Sequence, residues 1–432
     1  MSHPDLVNLI HREIDRGGGW ITFARFMELA LHHPRWGYYN KEGIGIGQDG
    51  DFYTSPSFHP AFGYALQRQL HELWTFLGCP EVFPVVEIGA GGGHLARDIL
   101  RAAGDDAAFS GALHYLVVEQ SPRLIARQRE RIREATGKEP PGNAALGATT
   151  GRGKQLPPSR PGSFPRVSWL EGIGQIPRQP VVVLSNELFS AFAVQWVELT
   201  EDGLAEVYVT RSPDGGLEEE LGPLSDPAIL EELAPVSLAE FRRGQRFTVN
   251  LQAGAFLEQV ARALGSGYII TIDYGDLAPE VYRRYGRRGS LRCYYRHTRD
   301  DNPYRRIGYQ DITADLDFSL MIRHGDRAGL RTLGFTEQGR FLLALGLLEE
   351  IQELARRAPR DLGADIELGR ILQLVTGTMG EGMKVLVQAK HLPAFRLSGF
   401  ESITINAGPV SSDRAGVRRG DRRQTIPGHN RT

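Results

Sequence analysis

Four runs of the chain are continuously apolar and close on polar or acidic residues: VFPVVEIG, LHYLVVEQ, PVVVLSNELF and GYIITIDYG. Stretches of helical periodicity separate them, as in HLARDILRAA and SPRLIARQRERIREAT. A strand with one wet face alternates apolar and polar residues. A continuously apolar strand must be covered on both faces, and a parallel sheet between two layers of helices does that. The expected fold class is therefore α/β, with a Rossmann-like sheet and helical or loop insertions. The 432 residues, 41% of them hydrophobic, suffice for one large domain of this kind or two modest ones.

The first strand runs into VVEIGAGGGHLARDIL, with four glycines in five positions. Glycines at the carboxyl end of a parallel strand let a ligand approach the backbone, and open α/β sheets bind ligands there. The dinucleotide fingerprint needs a small third residue, and His94 stands in that place. The lysine of a phosphate-binding loop is also missing. What remains is acid-x-G-x-G-x-G: Glu87, Gly89, Gly91 and Gly93. This arrangement suits the methionine and ribose part of S-adenosylmethionine (SAM), which carries no phosphate. Glu119 ends the second strand and is placed to accept hydrogen bonds from both ribose hydroxyls. A helix-capping role for Glu119 is the competing reading.

Asn186 and Glu187 end a further strand beside the same pocket, and Asp273 ends another. Capping by Asn186 and a salt bridge at Asp273 explain those residues equally well. Residues 276–318 are dense in Arg and Tyr. Such interleaving can make a nucleic-acid surface or a folded lid. The acids Asp311, Asp315 and Asp317 within it point instead to a pocket for a cation, or to helix N-terminal charge.

Composition narrows the partners. The net charge of −2 provides no basic field for nucleic acid or an anionic membrane. No run of about 18 apolar residues suggests membrane insertion, and the first residues do not read as a secretory signal. Two cysteines, Cys79 and Cys293, form no disulfide framework, and a reducing, cytoplasmic location is expected.

Several stretches together resemble the MidA family, methyltransferases related to the mitochondrial complex I assembly-factor arginine methyltransferase. They are HPRWGYYN, GDFYTSPSFHPAFGYAL, VEIGAGGGHLARDIL, LVVEQSPRL, VVLSNELFSAFAV, IDYG, GSLRCYYRH, QDITADLDFS and MGEGMKVLVQAK, spanning about residues 20 to 392. The resemblance implies a class I SAM-dependent methyltransferase that modifies arginine on a protein partner. It admits a respiratory-complex subunit or its relative as that partner, and a homodimer. It implies SAM contacts by Gly89, Gly91, Gly93 and Glu119, with GDFYTSP and NELF beside them. The expected cofactor set is Thr54, Ser55, Pro56, Glu87, Gly89, Gly91, Gly93, Glu119, Gln120, Glu171 and Asn186, and no metal. The expected acceptor-binding carboxylates are Glu187 first, then Asp311 and Asp315. The chain departs from the family pattern at Ser57, Tyr64 and Ser190, where acids are usual, and at Ala90 and Gly92 in the loop. Loss of acids also suits a non-catalytic assembly or binding module. A nucleotide-dependent oxidoreductase is disfavoured by His94.

The expected organisation is N-terminal helices with a covering loop (1–80), the SAM-binding core with a hairpin insertion (81–275), and the Arg/Tyr-rich insertion or lid (276–330). A C-terminal completion of the core (331–392) and a disordered tail (401–432) follow. Within these segments, residues 20–33 read as a helix and 194–212 as a hairpin turning at Asp202-Gly203. Residues 137–165 and GDDAAFSGA read as polar loops.

Overall fold

The computed structural model describes residues 2–40, 53–137, 165–286 and 289–402. The loop expected over 137–165 and the tail expected over 401–432 fall almost entirely outside these residues, as does the start of GDFYTSP.

The central sheet contains β1 (Phe83–Ile88), β2 (Leu113–Val118), β3 (Arg166–Leu170), β4 (Val181–Asn186), β5 (Gly267–Asp276), β6 (Arg331–Glu337) and β7 (Met383–Lys390). Their spatial order is β6-β7-β5-β4-β1-β2-β3. The first five strands run parallel, while β7 lies antiparallel between β5 and β6. All six residues of β1 are buried. Val85 packs into the layer formed with the helices Ala61–Phe76 and His94–Ala103, and Val86 into the opposite layer with Leu251–Ala263 and Phe318–Arg327. This two-sided burial is why the strands read as continuously apolar. The chain order reverses between β1 and β4, and the crevice outside their carboxyl ends is the expected ligand site.

A second sheet joins Trp20–Thr22, Leu204–Arg211, Gln195–Leu199 and Arg246–Val249, with Leu217–Gly222 paired to Leu204–Arg211. It packs against the helices Pro4–Arg16 and Phe23–His32. The hairpin turns at Asp202-Gly203 as expected. Within 20–33, however, Trp20–Thr22 form a strand paired with Tyr208–Thr210, and the helix begins only at Phe23. The β-branched Ile21 and Thr22 suit that edge, and the Thr22 side chain accepts the Arg25 N–H to cap the helix. GDDAAFSGA is likewise no loop. Asp106 caps the helix Ala107–Ala112 by accepting the Ala108 and Phe109 N–H groups. Part of the Arg/Tyr-rich insertion forms a small sheet of Arg292–Tyr295, Thr298–Asp300 and Asp311–Thr313.

Candidate active site

Gly89, Gly91 and Gly93 all have positive φ, at 80°, 49° and 79°. Two of these positions are also crowded. A Cβ at Gly89 would stand 3.0 Å from Leu188 Cδ1, and one at Gly93 would stand 3.1 Å from Gln128 Cγ. The loop thus needs glycine for its turn and for close packing against the rest of the fold. Gln128 is fully buried and holds the loop from behind: Nε2 donates to Gly91 O at 2.9 Å, and Oε1 accepts from Trp169 Nε1 at 2.7 Å.

The loop borders a cavity of about 280 Å³ at the carboxyl ends of β1, β2 and β4. Its apolar wall includes Leu95, Leu124, Leu188 and Phe192. Its acids are Glu87, Glu119 and Glu187. Burial pushes Glu87 up to about 7, although the Tyr115 hydroxyl donates to it at 2.9 Å. Glu119 Oε1 accepts the N–H groups of Gln120 and Ser121, both at 2.9 Å, but the helix Pro122–Thr136 is capped by Ser121, whose Oγ accepts the Leu124 N–H, so the capping role belongs to Ser121. Glu119 still lines the cavity. His94 stands there as well, with its Nε2 buried and unpartnered among the described residues. Burial, together with the cations Arg131, Arg97 and Arg127, depresses its pKa to about 3 and keeps the ring neutral.

Glu187 has φ 51°, a left-handed conformation rare for a side chain of its size. The Ile272 carbonyl holds its N–H at 2.9 Å. Oε1 accepts from the Ser55 N–H at 3.2 Å and from Asn186 Nδ2 at 3.1 Å. Burial, then the negative charge of Asp273, raises Glu187 to about 8. Asp273 itself is raised to about 6 by burial. It accepts the Phe189 and Ser190 N–H groups at 2.8 and 3.1 Å, which fixes the turn after Glu187.

Comparison with known proteins decides the family. Residues 65–336, more than half of the chain, match the family model described as "Putative S-adenosyl-L-methionine-dependent methyltransferase". The chain belongs to this family. The methyltransferase is 30% identical to a Burkholderia thailandensis protein crystallised with S-adenosyl-homocysteine. That match covers 92% of this chain and 94% of the other, with a TM-score of 0.76. It is 28% identical over 401 residues to the Drosophila melanogaster "Protein arginine methyltransferase NDUFAF7 homolog, mitochondrial", covering 88% of this chain and 85% of the relative. It is also 28% identical to the Mus musculus "Protein arginine methyltransferase NDUFAF7, mitochondrial", covering 79% and 74%. These names correct the cytoplasmic expectation, because the relatives are named as mitochondrial. Two free thiols fit any reducing compartment and do not distinguish one from another. No helix among the described residues is long and apolar enough to cross a membrane. No cluster of metal-binding side chains occurs among them either.

The residues present fit SAM. Glycine backbone, a strand-end carboxylate and an apolar wall converge on one cavity. Of the expected cofactor residues, Thr54, Pro56, Glu87, Gly89, Gly91, Glu119 and Asn186 line it. Gly93 supports the loop from outside the lining. Ser55 reaches the site through its N–H, while its hydroxyl lies 3.2 Å from Gln338 Oε1. Gln120 donates to the Glu171 carbonyl at 2.7 Å, and both residues are exposed outside the lining.

Of the aspartates of QDITADLDFS, Asp315 and Asp317 are occupied elsewhere, while Asp311 stays next to the cavity lining. Asp315 is buried in an ion pair with Arg292, and Tyr285 also donates to it. Asp317 caps the helix Phe318–Arg327. Asp311 sits behind the cavity and accepts from the Tyr39 hydroxyl at 2.8 Å. The single pocket for a cation drawn from three aspartates is therefore corrected: tertiary packing sends them to three different partners.

Sequence reasoning missed Tyr39, His32 and Phe192, which line the cavity, while Leu188 falls within the NELF stretch expected beside it. Tyr39 stacks on His32 at 5.4 Å, and His32 Nε2 lies 3.1 Å from the Ala191 carbonyl. Both belong to the segment containing HPRWGYYN, whose aromatics were the available signal.

Proposed function

We propose that the methyltransferase modifies arginine side chains of a partner protein, and that Glu187 holds the acceptor guanidinium. The carrying observation is Glu187 itself: a half-buried carboxylate, held in left-handed backbone at a strand end, with one oxygen fixed by two donors. Bound SAM supplies an electrophilic methyl group on its sulfonium. The chain supplies alignment, which can account for about 7–11 kcal/mol of the barrier. The glycine loop and Glu119 would seat the cofactor. Glu187 Oε2 would orient the planar guanidinium and take up the proton released as the nitrogen is methylated, a role that its raised pKa suits. Relatives named as protein arginine methyltransferases support this acceptor. Respiratory-complex subunits are the first acceptor class to test. A homodimer is a further expectation of the same resemblance.

The three positions where a usual acid is replaced, Ser57, Tyr64 and Ser190, do not favour the binding-module reading, because none of them lines the cavity. Ser57 completes a capping box with Thr54, whose N–H donates to Ser57 Oγ at 2.9 Å. Ser190 donates to Asp273. Tyr64 lies on the helix Ala61–Phe76 and faces a separate surface groove with Arg68 and Arg101.

Tritiated methyl transfer into extract proteins from a strain lacking the enzyme tests the reading. Glu187→Gln should lower the transfer rate by about 10²-fold or more, while S-adenosylhomocysteine affinity stays within a few-fold. Unimpaired transfer to arginine by the variant would clear Glu187 of the role.

A further inference from the structure

Asn186 ends β4 and lines the cavity beside Glu187. Its two polar atoms have different surroundings. Nδ2 donates to Glu187 Oε1 at 3.1 Å. Oδ1 is buried and has no hydrogen-bond partner. A buried amide oxygen without a donor is rare and needs a cause. In a ligand cavity, the natural cause is a donor that arrives with the ligand.

The amide is not free to turn while Glu187 is ionised. A carboxylate oxygen only accepts, so Nδ2 must face it and Oδ1 must face away. The Ser55 N–H closes on the same Oε1. Glu187 Oε2 carries no hydrogen bond among the described residues. Two neighbouring residues therefore present two open acceptors, Oε2 of Glu187 and Oδ1 of Asn186. This pair matches a group that offers two N–H bonds in a fixed relation.

We infer that Asn186 binds the methyl acceptor, its Oδ1 accepting one N–H of the nitrogen that receives the methyl group while Glu187 Oε2 accepts a second N–H of the same group. This moves Asn186 from the cofactor side, where the sequence placed it, to the acceptor side. The assignment rests on the arginine reading above for the identity of the group. The geometry itself requires only a donor with two N–H bonds. An N–H fixed on Oδ1 limits rotation of the nitrogen and so directs its lone pair toward the transferred methyl.

The test uses the full-length protein saturated with S-adenosylhomocysteine, with ethylguanidinium and ethylammonium as probes of equilibrium binding at pH 9. Asn186→Ala removes both amide atoms. Asn186→Asp keeps Oδ1 and removes the N–H to Glu187. The expected result is at least a tenfold loss of ethylguanidinium affinity in Asn186→Ala, a loss of threefold or less in Asn186→Asp, and S-adenosylhomocysteine affinity within threefold in both. Equal losses of ethylguanidinium affinity in the two variants would overturn the inference, because the amide would then act only through Glu187. A large loss of S-adenosylhomocysteine affinity would overturn it in favour of a cofactor contact. If the wild type binds ethylammonium but not ethylguanidinium, and the variants lose it in the same pattern, the Asn186 assignment stands and the arginine reading fails. If the wild type binds neither probe, the assignment fails. Melting temperatures within a few degrees of wild type confirm that each variant is folded.

Discussion

At the scale of single residues, Glu119 lines the cavity while the chain around it already holds its side chain. Oε1 is committed to the Gln120 and Ser121 N–H groups, while Oε2 accepts only a long bond from Gln128 Nε2 at 3.4 Å and is the oxygen freer to meet a ribose. Glu119→Ala should therefore lose about one charge-assisted bond, or about 1.5–3 kcal/mol. That is a rise of about 10- to 150-fold in the S-adenosylhomocysteine dissociation constant, measurable by calorimetry. An unchanged constant would place the ribose contact elsewhere. Gly91→Val should abolish binding in a folded protein, because a β-branched side chain resists φ 49° and fills the loop. Glu187 sets a pH dependence. It must be ionised to hold a cation, so kcat/KM for the acceptor should rise with pH until about 8. The Glu187→Gln variant should lose that rise. The acids at the ends of β1, β2 and β4 were legible because strand periodicity locates strand ends. Tyr39 was not, because it reaches the cavity through packing of the segment after Phe23–His32, which carries no period of its own.

At the scale of elements, the layer beneath β5 is tied by an ionic knot around the buried Glu232. Glu232 follows the helix start at Ala228. Its Oε1 accepts from His324 Nε2 at 2.9 Å and Arg327 at 3.1 Å, and its Oε2 accepts from Arg323 at 2.6 Å. His324 Nδ1 lies 2.7 Å from Glu258 on Leu251–Ala263. Both ring nitrogens face carboxylates, so the ring is held as a cation and its pKa is raised, chiefly by the bond to Glu232. Glu232→Gln leaves the three cations facing a neutral amide and should cost about 3 kcal/mol in urea unfolding at pH 6. A loss under 1 kcal/mol would mean that the helices hold without the knot. None of this was legible in the sequence, where Glu232, Glu258 and His324 are far apart and each fits a solvated helix face. The errors at Trp20–Thr22 and Ala107–Ala112 are shorter in range. Three residues carry too little period to outweigh the helix that follows, and a single capping aspartate was hidden in a polar run.

At the scale of the whole molecule, pH acts on several buried groups at once. His94 and His114 are held neutral, at about 3 and about 4, so their contribution to stability grows as pH climbs toward 6.5. The raised carboxyls Glu87, Glu187 and Asp273 oppose it over the same range, and above 6.5 their decline remains. Glu187, raised from 4.5 to about 8, contributes stability in its protonated form, which is lost as pH rises through about 8. His324, raised above 6.5, loses its contribution in the same direction. The melting temperature should therefore fall between pH 6.5 and 8.5, and less steeply in Glu187→Gln. A flat profile would deny the burial of these charges. The architecture was legible at this scale because four of the five strands of the parallel core advertised two covered faces. The place of β7 was not, since nothing in MKVLVQAK says that the strand made last lies inside the sheet. That place has a consequence in time. During synthesis from the N-terminus, β5 emerges with its edge bare more than a hundred residues before Met383–Lys390 arrive to cover it. Ser55, whose hydroxyl lies 3.3 Å from Met383 Sδ, lacks that part of its seat for the same interval. A nascent chain in this condition exposes an apolar, unpaired edge and an unfinished pocket. The open edge of β5 and the unfinished seat of Ser55 are thus completed together, by one strand that lies far downstream of both in the chain.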